Sequence, residues 1–152
     1  MAKFRFRFQP VLRQRELAER DEQLKVAEVE QQRLRLEERL RQCQQRLDFE
    51  QQALNSMVSS AAVNPRDARS QSAAILVAKG EAQRLAVELA GVYKRLESAR
   101  QKLAEAATHR RSMELLRDNH KAKWRSEINA AEDRAMDELA VLRSARTKKD
   151  EL

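Results

Sequence analysis

The chain has 152 residues, with 31 lysines and arginines against 24 acids for a formal charge of +7, and only two glycines, two prolines and 4% aromatics. Tight turns need Gly or Pro and strands favour aromatic and β-branched side chains, so this composition excludes a sheet protein and an α/β enzyme. Ala, Leu, Glu, Gln, Lys and Arg dominate, as in long helices and coiled coils, and leucines recurring at helical spacing argue against a disordered chain.

Residues 1–9 form a basic-aromatic arm in which Phe4, Phe6 and Phe8 alternate with Lys3, Arg5 and Arg7. Period two suits an extended clamp, and these rings are expected to dock on the chain's own far end or on a partner. The arm lacks the continuous apolar core of a signal peptide. Pro10 suits the first turn of a helix, where its missing N–H costs nothing, and the first coiled-coil helix is expected over 10–58. Within it Val26, Val29, Arg33, Leu36, Leu40, Cys43, Leu47, Glu50, Leu54, Met57 and Ala61 step by three and four, a heptad seam with two charged interruptions. Upstream, Leu17, Leu24, Ala27, Gln31 and Leu34 follow the same repeat in a shifted register. Glu16/Arg20, Asp21/Lys25 and Glu37/Arg41 are acid-before-base pairs at i,i+4.

Residues 59–74, rich in Ser and poor in large apolar side chains, read as the hairpin tip, with Asn64-Pro65 as an N-cap and first-turn pair. The second coiled-coil helix is expected over 75–146, with its pattern starting near residue 66. Its seam runs Ala78, Ala82, Leu85, Leu89, Val92, Leu96, Ala99, Leu103 and Ala106. It continues through Arg110, Met113, Arg117, His120 and Trp124, then restarts as Ile128, Ala131, Ala135, Leu139 and Leu142. Gly80 and Gly91 mark a bend or a close helix contact. Residues 147–152 are a tail; its Lys149-Asp150-Glu151-Leu152 spells an ER-retention address, read here as chance at a charged helix end.

Two such helices joined by a short turn make an all-α, antiparallel two-helix coiled-coil hairpin. At 1.5 Å per residue the first is roughly 75 Å long and the second roughly 90–120 Å, so C-terminal residues should overhang. Trp124, Ile128, Leu139 and Leu142 would then form a stripe with little chain left to cover it, and such stripes meet partners.

No enzyme site is legible, and neither a metal nor another cofactor is expected. Gly80 and Gly91 lie eleven apart without the Lys-Ser/Thr step of a phosphate loop. His109 and His120, about three turns apart, cannot share a metal ion. Cys43, on the seam, reads as a small core residue and, being alone, excludes an internal disulfide. No apolar run is long enough to span a membrane. Residues 94–125 carry ten lysines and arginines against four acids. That is a solvated flank or a dock for an acidic protein; a basic coiled coil binding nucleic acid or an anionic membrane surface is the alternative reading.

The opening Phe4-Arg-Phe-Arg-Phe-Gln-Pro-Val-Leu12 followed by Arg-Gln-Arg-Glu, and the C-terminal Glu132-Asp-Arg-Ala-Met-Asp-Glu-Leu139, resemble the FliJ family of flagellar type III export proteins. The resemblance implies a cytoplasmic, non-catalytic coiled-coil stalk at the flagellar base, acting in flagellum biogenesis and motility. It implies three partners: the hexameric export ATPase FliI, the export gate protein FlhA and export chaperones. Both chain ends would lie in the ATPase ring, with Phe4, Phe6, Phe8 and Leu12 from the start of the chain. Trp124, Ile128, Asp137, Glu138, Leu139 and Leu142 would join them from the end. Near the tip, Phe49, Leu54, Ile75 and Leu76 are the nearest counterparts of the gate-binding residues.

Overall fold

The computed structural model describes residues 3–60 and 63–150, with side chains up to residue 143. Two helices, α1 (Gln9–Ser59) and α2 (Pro65–Asp150), pack against each other as an all-α helical hairpin, with no strand among the described residues. The chain divides into a central unit, Arg20–Glu105, and a terminal unit made of Met1–Glu19 and Ala106–Leu152.

α1 starts where Gln9 N–H bonds the Phe6 carbonyl (3.1 Å) and Leu12 N–H bonds that of Phe8 (3.0 Å). The first turn needs no donor from Pro10. At its end Ser59 and Ser60 hydroxyls donate back to Asn55 and Met57 carbonyls, both at 2.8 Å. α2 begins at Pro65, well before the expected residue 75. The Asn64 side chain accepts the Arg66 N–H (3.1 Å), and Ala68 N–H closes the first turn on the Asn64 carbonyl. A cap followed by proline is enough to start a helix without bulky side chains, so the connection is far shorter than 59–74.

The core of the central unit is Leu36, Cys43, Leu85 and Val92, with Val29, Leu40, Ala82 and Leu89 packed against it. All are seam residues of the heptad pattern. Ile75, Ala78 and Leu96 are also buried, and Val92 is almost completely shielded at 1% exposure. The two charged seam positions are both satisfied. Arg33 bridges Glu30 (3.2 Å) and Glu37 (2.7 Å), and Tyr93 of α2 donates its hydroxyl to Glu37 at 2.6 Å. Near the tip the Gln71 amide donates to the Glu50 carbonyl (3.0 Å) and to its carboxylate. With Cys43 Sγ–H on the Ala78 carbonyl (3.3 Å) and Arg100 on Glu30 (3.5 Å), these pairs run antiparallel along the unit.

Three expectations change. The shifted upstream register is not the packed one: Leu17, Leu24, Ala27, Gln31 and Leu34 are all exposed, while Leu12, Glu19, Glu22 and Val26 hold the inward face. Of the polar members, Glu19 has Arg110 and Glu22 has Lys25 as ion-pair partners. Second, Lys25 pairs with Glu22 at i,i+3 instead of Asp21, and Arg41 pairs with Glu38 at i,i+3 while Glu37 is drawn to Arg33 and Tyr93. Third, a Cβ built at Gly80 or Gly91 meets nothing within 4 Å, so neither glycine serves a close contact. Met57 is exposed, and Ala61 and the Glu151-Leu152 end of the ER-retention sequence lie outside the described residues.

Thermal melts should separate seam from surface. Gly91→Ala should stabilise by about 1 kcal/mol, the helix-propensity difference, whereas Leu85→Ala should cost about 2–4 kcal/mol. The hydrogen bond from Tyr93, and then Arg33, hold the Glu37 carboxyl below its ordinary value of 4.5. A depressed carboxylate pKa stabilises the fold above that value, and the contribution is lost as pH falls through the folded pKa. Glu37→Gln should therefore lower Tm at neutral pH, and the difference from wild type should shrink as melts are run at successively lower pH through the folded pKa.

Candidate functional site: the terminal unit

In the terminal unit the arm folds back on α2. Phe4 packs on Trp124 with ring centroids 5.7 Å apart, and Phe6 meets His120 edge-on at 5.8 Å. Phe6 also meets Phe8 at 5.9 Å, and Arg7 lies over the Phe8 ring at the same distance. Edge-to-face and tilted pairs at these spacings add roughly 0.5–1.5 kcal/mol each beyond burial. The alternation of the arm explains the arrangement: in extended backbone every second side chain shares a side. Phe4 and Phe6 therefore seat together while Lys3, Arg5 and Arg7 remain exposed. The turn at residues 7–8 then leads directly into α1.

Behind the arm, Leu12 is fully buried. Arg110 ion-pairs with Glu19 across the unit and with Glu114 at 2.7 Å on its own helix. The Glu19 hydrogen bond, then that of Glu114, raise the Arg110 pKa.

The expected stripe is thus divided. Trp124 is half-buried beneath Phe4, and Ile128 is half-buried. From Ala131 to Arg143 every residue is exposed, including Leu139 (51%) and Leu142 (61%) on the stripe and Met136 beside it. Asp137 and Glu138 lie within that bare stretch, directly before Leu139. Burial also sorts the expected contact residues from the arm: Leu12 and Phe6 are packed inside and offer almost no surface, whereas Phe8 stands at the rim.

The central unit sorts the expected tip residues the same way. Ile75 is buried and Leu54 half-buried, while Phe49 and Leu76 are 70% and 69% exposed. Phe49 stands outside the seam, next in sequence to Asp48 and Glu50. Leu76 directly follows the buried Ile75, so its exposure follows from the helical period.

Chemistry-bearing clusters are sparse. Among the described residues no group of three or more His, Cys, Asp and Glu could hold a metal ion, and no helix is long and apolar enough to cross a membrane. Cys43 is buried with its thiol on a carbonyl. The grooves between the helices of the central unit are open and lined by charged side chains, such as Arg35, Arg39, Glu88 and Arg95 around Leu36 and Val92.

Phe4→Ala should shift Trp124 emission to the red with unchanged helical circular dichroism. The only tryptophan in the chain then reports directly whether the arm is seated.

The family model described as "Flagellar FliJ protein" matches residues 4–149. No curated protein and no solved structure matches the chain.

Proposed function

Because the chain belongs to the FliJ family of flagellar proteins, a family tied to flagellar export, we propose that it is a non-catalytic coiled-coil stalk coupling the hexameric export ATPase FliI to the export gate protein FlhA. The single observation that carries this reading is the bare stretch of α2 in the terminal unit, where Leu139 and Leu142 stand exposed beyond the seated arm. Apolar side chains presented in a row are the usual mark of an interaction site. The ring end is assigned to Phe8, Leu139 and Leu142, with Asp137 and Glu138 as flanking charges. Trp124 and Ile128 lie half-covered at its edge, and Phe4, Phe6 and Leu12 hold the arm and α1 in place.

A stalk with an asymmetric end inside a six-fold ring makes different contacts with each subunit. Contacts that differ between nucleotide states couple ring and stalk, and the coupling is reciprocal: the stalk favours assembly and turnover as the nucleotide state favours binding. The exposed Phe49 and Leu76, with Leu54 and Ile75 packed behind the surface, are assigned to the export gate. Assistance to export chaperones and a place at the cytoplasmic face of the flagellar base complete the proposal; the membrane is reached through these partners.

Leu139→Asp with Leu142→Asp should weaken binding to the purified export ATPase by tenfold or more, about 1.4 kcal/mol, and abolish stimulation of ATP hydrolysis. Circular dichroism should stay at the wild-type value, because both side chains are already in water. Full stimulation by the double variant would overturn the assignment of the ring end.

A further inference from the structure

We infer that the terminal unit is a two-signed recognition surface, with a basic collar that takes an acidic patch on a protein partner and, further along α2, an acid-flanked apolar stripe that takes a basic-rimmed apolar patch. This deepens the proposed function, because it states what the partner of that end must look like, but it rests on charge and exposure in this unit.

Residues 3–15 and 109–125 together hold eleven lysines and arginines against two acids, Glu114 and Asp118. Both acids are engaged within the unit, Glu114 by Arg110 (2.7 Å) and Asp118 by Arg117 (3.1 Å). Arg13, Arg15, Arg111, Lys121, Lys123 and Arg125 are exposed and make no ion pair among the described residues. Along α2 the sign then reverses: residues 127–138 hold five acids, Glu127, Glu132, Asp133, Asp137 and Glu138, against Arg134 alone. Met136, Leu139 and Leu142 stand exposed in or beside that stretch.

Magnitudes decide whether the two signs cancel. The centres of the two stretches lie about sixteen residues apart, roughly 25 Å of helix. Screening at physiological salt acts over about 8 Å, so each stretch presents its own sign to a partner. The same reversal selects the partner class. A nucleic-acid duplex carries one charge per roughly 1.7 Å of axis, and one lying along the helix would meet the acidic stretch. An anionic membrane would have to take Met136 and Leu139 against Asp137 and Glu138, the opposite of the basic flank such surfaces attract, although Arg143 follows Leu142 on the other side. A protein surface can place a discrete acidic patch against the collar and apolar and basic groups against the stripe. Such complementarity fixes orientation and raises the association rate.

The test uses the full chain and two charge-reversed forms. One is Arg111→Glu with Lys121→Glu and Arg125→Glu; the other is Asp133→Lys with Asp137→Lys and Glu138→Lys. All six side chains are exposed, and circular dichroism checks that helicity is kept. Against the purified export ATPase, the collar form should bind on the order of 100-fold more weakly at low salt and lose most of its salt dependence. The stripe form should bind on the order of tenfold more weakly. Collar reversal that leaves affinity within about twofold overturns the inference. If the unaltered chain does not bind the ATPase at all, the proposed function fails, and the collar is then judged alone. The probes are a polyglutamate peptide, a DNA duplex of equal charge and phosphatidylserine vesicles, compared at about 150 mM salt. Binding to the peptide that the collar reversal removes sustains the inference. Tighter binding to the duplex or the vesicles, or no binding to the peptide, overturns it.

Discussion

A pair of helices can hide one narrow stripe from water and no more, and the whole molecule depends on how that stripe is filled. In the central unit Leu36 and Cys43 of α1 and Leu85 and Val92 of α2 supply the buried positions, with Leu40 and Leu89 only half-covered beside them. Solvent lies on both flanks of such a seam, so even good seam residues keep some exposure. Small side chains recur where the helices meet: Cys43 donates to the Ala78 carbonyl, a contact that a bulkier pair would push apart. That closeness costs apolar area, since Ala and Cys bury far less than Leu. A helix pair filled in this way gains stability from any partner that binds only the folded form.

Apolar heptads alone leave the register open, because sliding one helix by seven residues replaces each seam residue with another of the same kind. The polar contacts remove this freedom. Glu37 meets Tyr93, Glu50 meets Gln71 and Glu30 meets Arg100, each pair a donor facing an acceptor. A seven-residue slip in one direction would set Glu37 opposite Ala86, which has no side-chain donor. In the other direction it would set Glu37 opposite Arg100 and take that arginine from Glu30. These polar contacts, one of them at the seam position Glu50 and two beside the seam, thus fix a single alignment, a role known for isolated polar groups in coiled coils.

Periodicity tells which residues share a helix face but not which of two candidate faces meets the partner helix. For that reason the first-helix seam from Val26 to Leu54 was legible residue by residue, while the upstream leucines misled. Leu17, Leu24 and Leu34 are more apolar than Glu19 and Glu22, yet the acids face inward, Glu19 paired with Arg110 and Glu22 through one carboxylate oxygen with Lys25, while its other oxygen is buried without a hydrogen bond. The signal that could have revealed this was continuity, since counting back from Val26 by four and three lands on Glu22 and Glu19. At the tip, composition suggested a long connection, but helix initiation is decided by a cap and a proline, and Asn64-Pro65 provides both. At the terminal end the apolar stripe was readable, and the docking of the arm was one of two outcomes its rings allowed. The division of labour within the arm was not readable, because burial of Phe6 and Leu12 with exposure of Phe8 depends on where the extended backbone turns into α1.

That turn sets the boundary between surface the chain satisfies itself and surface it leaves for others. Phe4 reaches Trp124 and Phe6 reaches His120. The rings complete the packing inside the unit around His120 and Trp124, whereas α2 stands exposed from Ala131 to Arg143. The basic residues interleaved with the rings add the collar at no extra length, since period-two alternation sends Lys3, Arg5 and Arg7 outward whenever the rings point in.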